Sequence, residues 1–293
     1  MRADKGWVLG LLVFCLLPSA PAFALSSADH ALSRLNVLQA TPVVVFGKNS
    51  RQSIDDYARA RRKDAALVRD QHSASGLIIC GDAHGAGQLT LANDVVTTAA
   101  HVFYDEAGHL RAPRCFFSLQ NGAKRMSIGV DMRSIAAGST DPYGAPAVHD
   151  WAVARLTRPV GGVKPYELGE AVKAEADVEF AARGHNDWGQ SVNLSLEACK
   201  MRTQLSIGAE GTREFSFDCE TGDGASGGAV LADGEGHKLC AVLVGYRSIA
   251  PDRALAFSNQ HYNFAVTTEG AFRAAIEAAA KPLVVSAGAA TLQ

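Results

Sequence analysis

From Ser75 onward the chain is a ladder of short apolar runs broken by Gly, Asn and Asp. Gly76-Leu77-Ile78-Ile79-Cys80, Gln88-Leu89-Thr90-Leu91, Val95-Val96-Thr97-Thr98, Cys115-Phe116-Phe117-Ser118-Leu119 and Ser127-Ile128-Gly129-Val130 each have strand length. After Asp150 the pattern resumes with Trp151 to Leu156, Val178 to Ala182, Glu214 to Phe217, Ala229 to Leu231 and Leu239 to Tyr246. Short strands at regular spacing predict an all-β sandwich or barrel and disfavour an alternating α/β sheet. The stretch from Pro159 to Lys173 divides the ladder into two halves. A helical period returns only from Thr268 to Ala280, where Phe272, Ala275, Ile276 and Ala279 share a face, Thr268 is placed to cap and Pro282 ends the run.

Ahead of the ladder, Arg2 and Lys5, the apolar Trp7 to Leu17 and the small-x-small Ala22-Phe23-Ala24 have the build of an export signal over residues 1–24. The apolar run is about half the ~20 residues a spanning helix needs. Residues 25–72 form an N-terminal segment, read as a pro-region partly in the first barrel. Within it Ile54 to Arg69 is either helical or a surface loop, and Arg59, Arg61, Arg62 and Lys63 are either a solvated face or a processing site. The β-rich domain runs from 73 to 282, and 283–293 is a small-residue tail.

With 28 Lys and Arg against 30 Asp and Glu, the formal charge is −2, so there is no basic field for nucleic acid or an anionic membrane. Beyond Cys15 in the signal, five cysteines remain in a disulfide-permitting compartment, so at least one is unpaired within the chain. None has the C-x-x-C spacing of a zinc site.

The chemistry centres on Thr221-Gly222-Asp223-Gly224-Ala225-Ser226-Gly227-Gly228, a small-residue turn that holds a serine with unshielded backbone amides. A serine hydroxyl needs a base, and the base needs an acceptor that fixes its tautomer. His101 follows the apolar Val95 to Ala100, and Asp150 opens the apolar Trp151 to Leu156. The order His101, Asp150, Ser226 is that of chymotrypsin-like enzymes, whereas an α/β-hydrolase esterase runs nucleophile, acid, histidine. A metal hydrolase built on His84, His101 and His109 lacks a recognised ligand spacing.

Val95-Val96-Thr97-Thr98-Ala99-Ala100-His101 resembles the histidine motif of trypsin-like serine proteases, Asp150 to Leu156 their acid strand, and Gly224-Ala225-Ser226-Gly227-Gly228 their nucleophile motif. The resemblance covers about Ser75 to Ile276. It implies two perpendicular six-stranded β-barrels with a C-terminal helix and a cleft triad of His101, Asp150 and Ser226. It further implies an oxyanion hole from the Gly224 and Ser226 amides, protein or peptide substrates, and neither metal nor organic cofactor. An exported, secreted or periplasmic monomer is expected, and an inactive relative kept as a binding module is the rival.

Ala225 stands where the digestive and clotting members carry the acid that receives the freed N-terminal amine, so that switch is absent. A neutral residue there is closer to bacterial glutamyl endopeptidases, and Val43 to Arg51 is similar to the start of their mature chain. By the same resemblance Cys80 pairs with Cys115 and Cys199 with Cys219, leaving Cys240 as a buried thiol. The specificity pocket maps to Glu220, Thr221, Arg247 and Ser248. Glu220 would select basic residues, Arg247 acidic ones, and a pair between them neutral ones; we rank these basic, neutral, acidic.

Overall fold

A computed structural model describes residues 45–282, apart from 122–123, 184–193, 233, 235 and 252. Residues 1–24, expected to be an export signal, the first residues of the N-terminal segment and the tail at 283–293 lie outside the described residues. The strand ladder closes into two barrels. In the first, β1 (Ser75–Cys80), β2 (Ala83–Leu89), β3 (Val95–Thr98), β4 (Cys115–Asn121), β5 (Lys124–Ala137) and β6 (Ala152–Leu156) pair antiparallel in the order β1-β2-β3-β6-β5-β4, with β4 returning to β1. In the second, β7 (Asp177–Arg183), β8 (Leu194–Ile207), β9 (Arg213–Phe217), β10 (Ala229–Ala232), β11 (Leu239–Ser248) and β12 (His261–Thr267) repeat that order strand for strand. Closure leaves neither sheet an unpaired edge.

Each barrel is filled by the inward half of its alternating strands. Ile78, Leu89, Phe117 and Leu119 are buried in the first; Phe180, Met201 and Phe217 in the second, where Phe180 and Phe217 meet edge-on at 5.7 Å. The strand over 152–156 belongs to the first barrel, so the divide falls after it, within the Pro159 to Lys173 stretch. Two strands, β8 and β12, lie outside the apolar runs named above, and β2 begins at Ala83 rather than at Gln88.

Ile54 to Arg69 folds as two short helices, α1 (Ile54–Arg61) and α2 (Ala65–Gln71). Ser53 caps α1 by accepting from the Asp56 amide, Asp64 caps α2 by accepting from the Ala66 amide, and Arg62 between them takes a left-handed conformation (φ 54°). Just before α1, Gln52 exchanges both backbone hydrogen bonds with Leu196 of β8, while Tyr57 and Ala58 are buried in a core cluster with first-barrel residues. The N-terminal segment therefore touches both barrels.

The C-terminal helix α3 (Gly270–Ala280) buries Phe272 and Ile276, and the Phe272 ring stacks on Trp151 at 4.9 Å. Burying a phenylalanine fully is worth about 1.5–3 kcal/mol. Thr268 does not cap this helix; its hydroxyl donates to the Leu239 carbonyl and ties the approach to β11 instead.

Candidate active site

The β3–β6 pairing aligns Thr98 with Ala152, which places the chain after β3 beside the chain before β6. After β3 comes a single 3-10 turn, Ala100–Val102, and before β6 another, Ala147–His149. His101 lies on the first turn and Asp150 ends the second. Asp150 is buried and both carboxylate oxygens are used on one residue. Oδ1 accepts the His101 backbone N–H at 2.9 Å, and Oδ2 lies 2.7 Å from His101 Nδ1. An ionised carboxylate facing Nδ1 holds the ring proton there and leaves Nε2 as the acceptor. Arg111 steadies the same turn, its Nε donating to the His101 carbonyl at 2.9 Å and its Nη2 to Tyr143 Oη at 2.8 Å.

Ser226 sits on a turn fastened to both barrels. Gly227 N–H donates to Leu243 of β11 at 2.7 Å, and Ala86 N–H of β2 donates to the Gly224 carbonyl at 2.9 Å. Gly224 (φ 75°) and Gly227 (φ 84°) adopt left-handed backbone that suits glycine. At Gly227 a side chain would also collide with Thr98 Oγ1 and the Ala86 carbonyl. The Ala225 amide donates to Gly222 and the Gly228 amide to Ala225, while the amides of Gly224 and Ser226 donate to nothing among the described residues.

Ser226 and the histidine turn meet over Gly85. A Cβ built there would lie 3.0 Å from the Ser226 carbonyl oxygen and 2.5 Å from Val102, the neighbour of His101. The Ser226 hydroxyl makes no hydrogen bond among the described residues.

Disulfides join Cys80 to Cys115 across β1 and β4, and Cys199 of β8 to Cys219 just before Glu220, with Cα separations of 4.4 and 5.2 Å. Cys240 is a buried free thiol donating to the Val230 carbonyl, and burial pushes its pKa up to about 12. It is protonated and inert at neutral pH.

The residues assigned to specificity fall into separate networks. Arg247 does not pair with Glu220. It binds Glu214 of β9 at 2.7 Å and lies 4.2 Å over the Phe264 ring. Ser248 is 2.6 Å from His261 Nδ1. Thr221 Oγ1 donates to Asn263 Oδ1 at 3.2 Å, and Asn263 Nδ2 donates to the Cys219 carbonyl. Glu220 is buried and accepts the Ser50 amide on Oε2, so the N-terminal segment is anchored at this point.

Glu197, buried on β8, completes that anchor: Oε1 accepts the Ser50 hydroxyl and Oε2 the Glu220 amide, both at 2.7 Å. Burial, helped by the Glu220 charge, raises its pKa to about 7, against the pull of Ser50, the Glu220 amide and Arg51. Between about 4.5 and about 7 the folded chain holds a proton that the unfolded chain releases, so this group makes stability fall as pH rises through that window and adds no slope above it. A shift of this size corresponds to about 3 kcal/mol. Glu197→Gln keeps an acceptor for the Glu220 amide and removes the titration. Its thermal midpoint should fall less than the parent's between pH 5 and pH 8, and parallel curves would refute the assignment.

His84, His101 and His109 form no metal-ligand cluster among the described residues. A different group does converge, His72, Glu179 and His237, which the sequence did not bring to notice.

With two six-stranded barrels of one topology and a C-terminal helix, the chain has the chymotrypsin fold of serine proteases. It is similar to a Glu endopeptidase solved in complex with MPD (TM-score 0.61, 15% identity, 81% of this chain and 99% of that one). It also resembles the thermostable serine protease AL20 from an extremophilic microorganism (0.52, 13%, 72% and 98%) and mouse neuropsin (0.50, 15%, 69% and 91%). No family model and no curated protein matches the sequence.

Proposed function

We propose that the chain is an exported serine endopeptidase that cleaves protein or peptide substrates through an acyl-enzyme. The observation that carries this is the double grip of Asp150 on His101 beside a glycine turn in which the Gly224 and Ser226 amides donate to nothing among the described residues. Ser226 Oγ attacks the scissile carbonyl carbon and passes its proton to His101 Nε2. Asp150 stays ionised and holds Nδ1–H. The Gly224 and Ser226 amides receive the developing oxyanion, a stabilisation for which each donor is typically worth ~10²–10³ in turnover. His101 then protonates the leaving amine, and water repeats the sequence to release the acid. Export is supported by two disulfides and by the basic, apolar, small-x-small order of residues 1–24. No helix among the described residues is long and apolar enough to cross a membrane.

A fluorophosphonate should label the folded protein on Ser226 and fail to label Ser226→Ala. Absence of labelling in the folded parent would favour the binding-module reading.

With one Glu220 oxygen committed to the Ser50 amide and Arg247 committed to Glu214, the geometry supports Glu220 as an anchor for the N-terminal segment more than as a reader of basic side chains. Glu220→Gln is then expected to lower thermal stability while leaving the cleavage profile on a peptide library unchanged. A selective loss of cleavage after Lys and Arg would restore the basic pocket.

A further inference from the structure

His72, at the end of α2, Glu179, on β7, and His237, just ahead of β11, are remote in sequence and use no element of the catalytic turns. Each turns one ligand atom toward the others, and the three atoms all lie within 4.8 Å of one another. His72 Nε2 is 2.8 Å and His237 Nδ1 3.3 Å from the same carboxylate oxygen, Glu179 Oε1. Yet all three atoms are buried and none has a partner at hydrogen-bonding angles. Buried polar atoms this close normally satisfy one another. Lone pairs that approach without doing so suit a common acceptor placed among them.

The surroundings fit a held ligand set. The other carboxylate oxygen of Glu179 accepts the Tyr57 hydroxyl. The other nitrogen of His72, Nδ1, is 3.5 Å from the Tyr166 hydroxyl, which itself lies 2.9 Å from Ser75 Oγ. Metal-ligating imidazoles and carboxylates are usually fixed in this way through the atom that does not bind the ion. The two imidazole planes are inclined at 75°, with centroids 5.2 Å apart, so they do not stack.

We propose that His72, Glu179 and His237 bind a divalent transition-metal ion of the zinc class. Two imidazoles and one carboxylate form a donor set that suits zinc, whereas calcium and magnesium call for oxygen ligands throughout. The ion would pin the N-terminal segment, through His72, to strand β7 and the hairpin ahead of β11. It is a structural clamp, separate from the serine chemistry.

The test uses the full exported chain, stripped with chelator and titrated with Zn²⁺ against a chromophoric competitor. One equivalent should bind and raise the thermal midpoint, and Co²⁺ in its place should give visible ligand-field bands. His237→Ala, at the most accessible ligand, should weaken Zn²⁺ binding by more than about 100-fold, and Tyr57→Phe by about 10–100-fold. If stripping unfolds the chain, refolding on Zn²⁺ addition supports the site. No stoichiometric binding by folded protein, or binding equally tight in His237→Ala and Glu179→Gln, overturns it and leaves a buried histidine–carboxylate cluster. Fluorophosphonate labelling of Ser226, measured in the same samples, reads the protease assignment independently.

Discussion

Ser226→Ala is expected to lower kcat by about 10⁶-fold, the loss found when the nucleophile is removed from a serine triad. Its hydroxyl holds no hydrogen bond among the described residues, so the fold should not depend on it. The His101–Asp150 contacts and the backbone of the turn remain in the variant, which should melt within a degree or two of the parent. What remains of turnover, ~10³–10⁴ above water, would come from oxyanion stabilisation and binding alone. Hydrolysis of a denatured protein substrate, followed by mass spectrometry, measures the drop. A variant that keeps more than a few per cent of activity would remove Ser226 from the chemistry.

Asp150→Asn should cost about 10⁴-fold in kcat with little change in structure. The reason is local. Oδ1 of residue 150 faces the His101 backbone N–H, a donor that cannot be reversed, so an asparagine there must present its carbonyl oxygen to that amide. Its NH₂ group then faces His101 Nδ1 and forces that nitrogen to accept. The ring proton moves to Nε2, where a base is needed. Because the defect is a tautomer and not a lost residue, circular dichroism and thermal midpoint should match the parent while turnover collapses. A loss below tenfold would show that Asp150 only braces the turn.

The legible parts of the sequence are those where candidate chemistry and local pattern coincide. His101 and Asp150 each adjoin an apolar strand, and Ser226 lies in a turn whose glycines are visible as such. Strand β2 was half hidden because Gly85 and Gly87 are small for tertiary reasons: a Cβ at Gly85 would meet Val102 at 2.5 Å, and one at Gly87 would meet Ile78 at 2.8 Å. Glycine there reads locally as a breaker, although its cause is a neighbouring strand and turn. Thr268 has the right residue type for a cap, but its hydroxyl is taken by the Leu239 carbonyl. Arg247 meets Glu214 only because β12 lies between β11 and β9, a fact of strand order that spacing does not encode. His72, Glu179 and His237 carry no local signature at all. Only the closure of the second barrel and the docking of the N-terminal segment bring them together.

The serine turn is stitched to β2 of one barrel through Gly224 and to β11 of the other through Gly227. Sliding one barrel against the other by an ångström would strain those stitches before it disturbed any strand ladder. Catalysis should therefore act as a strain gauge for the seam. Under mild denaturant, turnover should fade while β-sheet circular dichroism still holds, and substitutions away from Ser226 that loosen the seam should lower turnover without touching the serine turn.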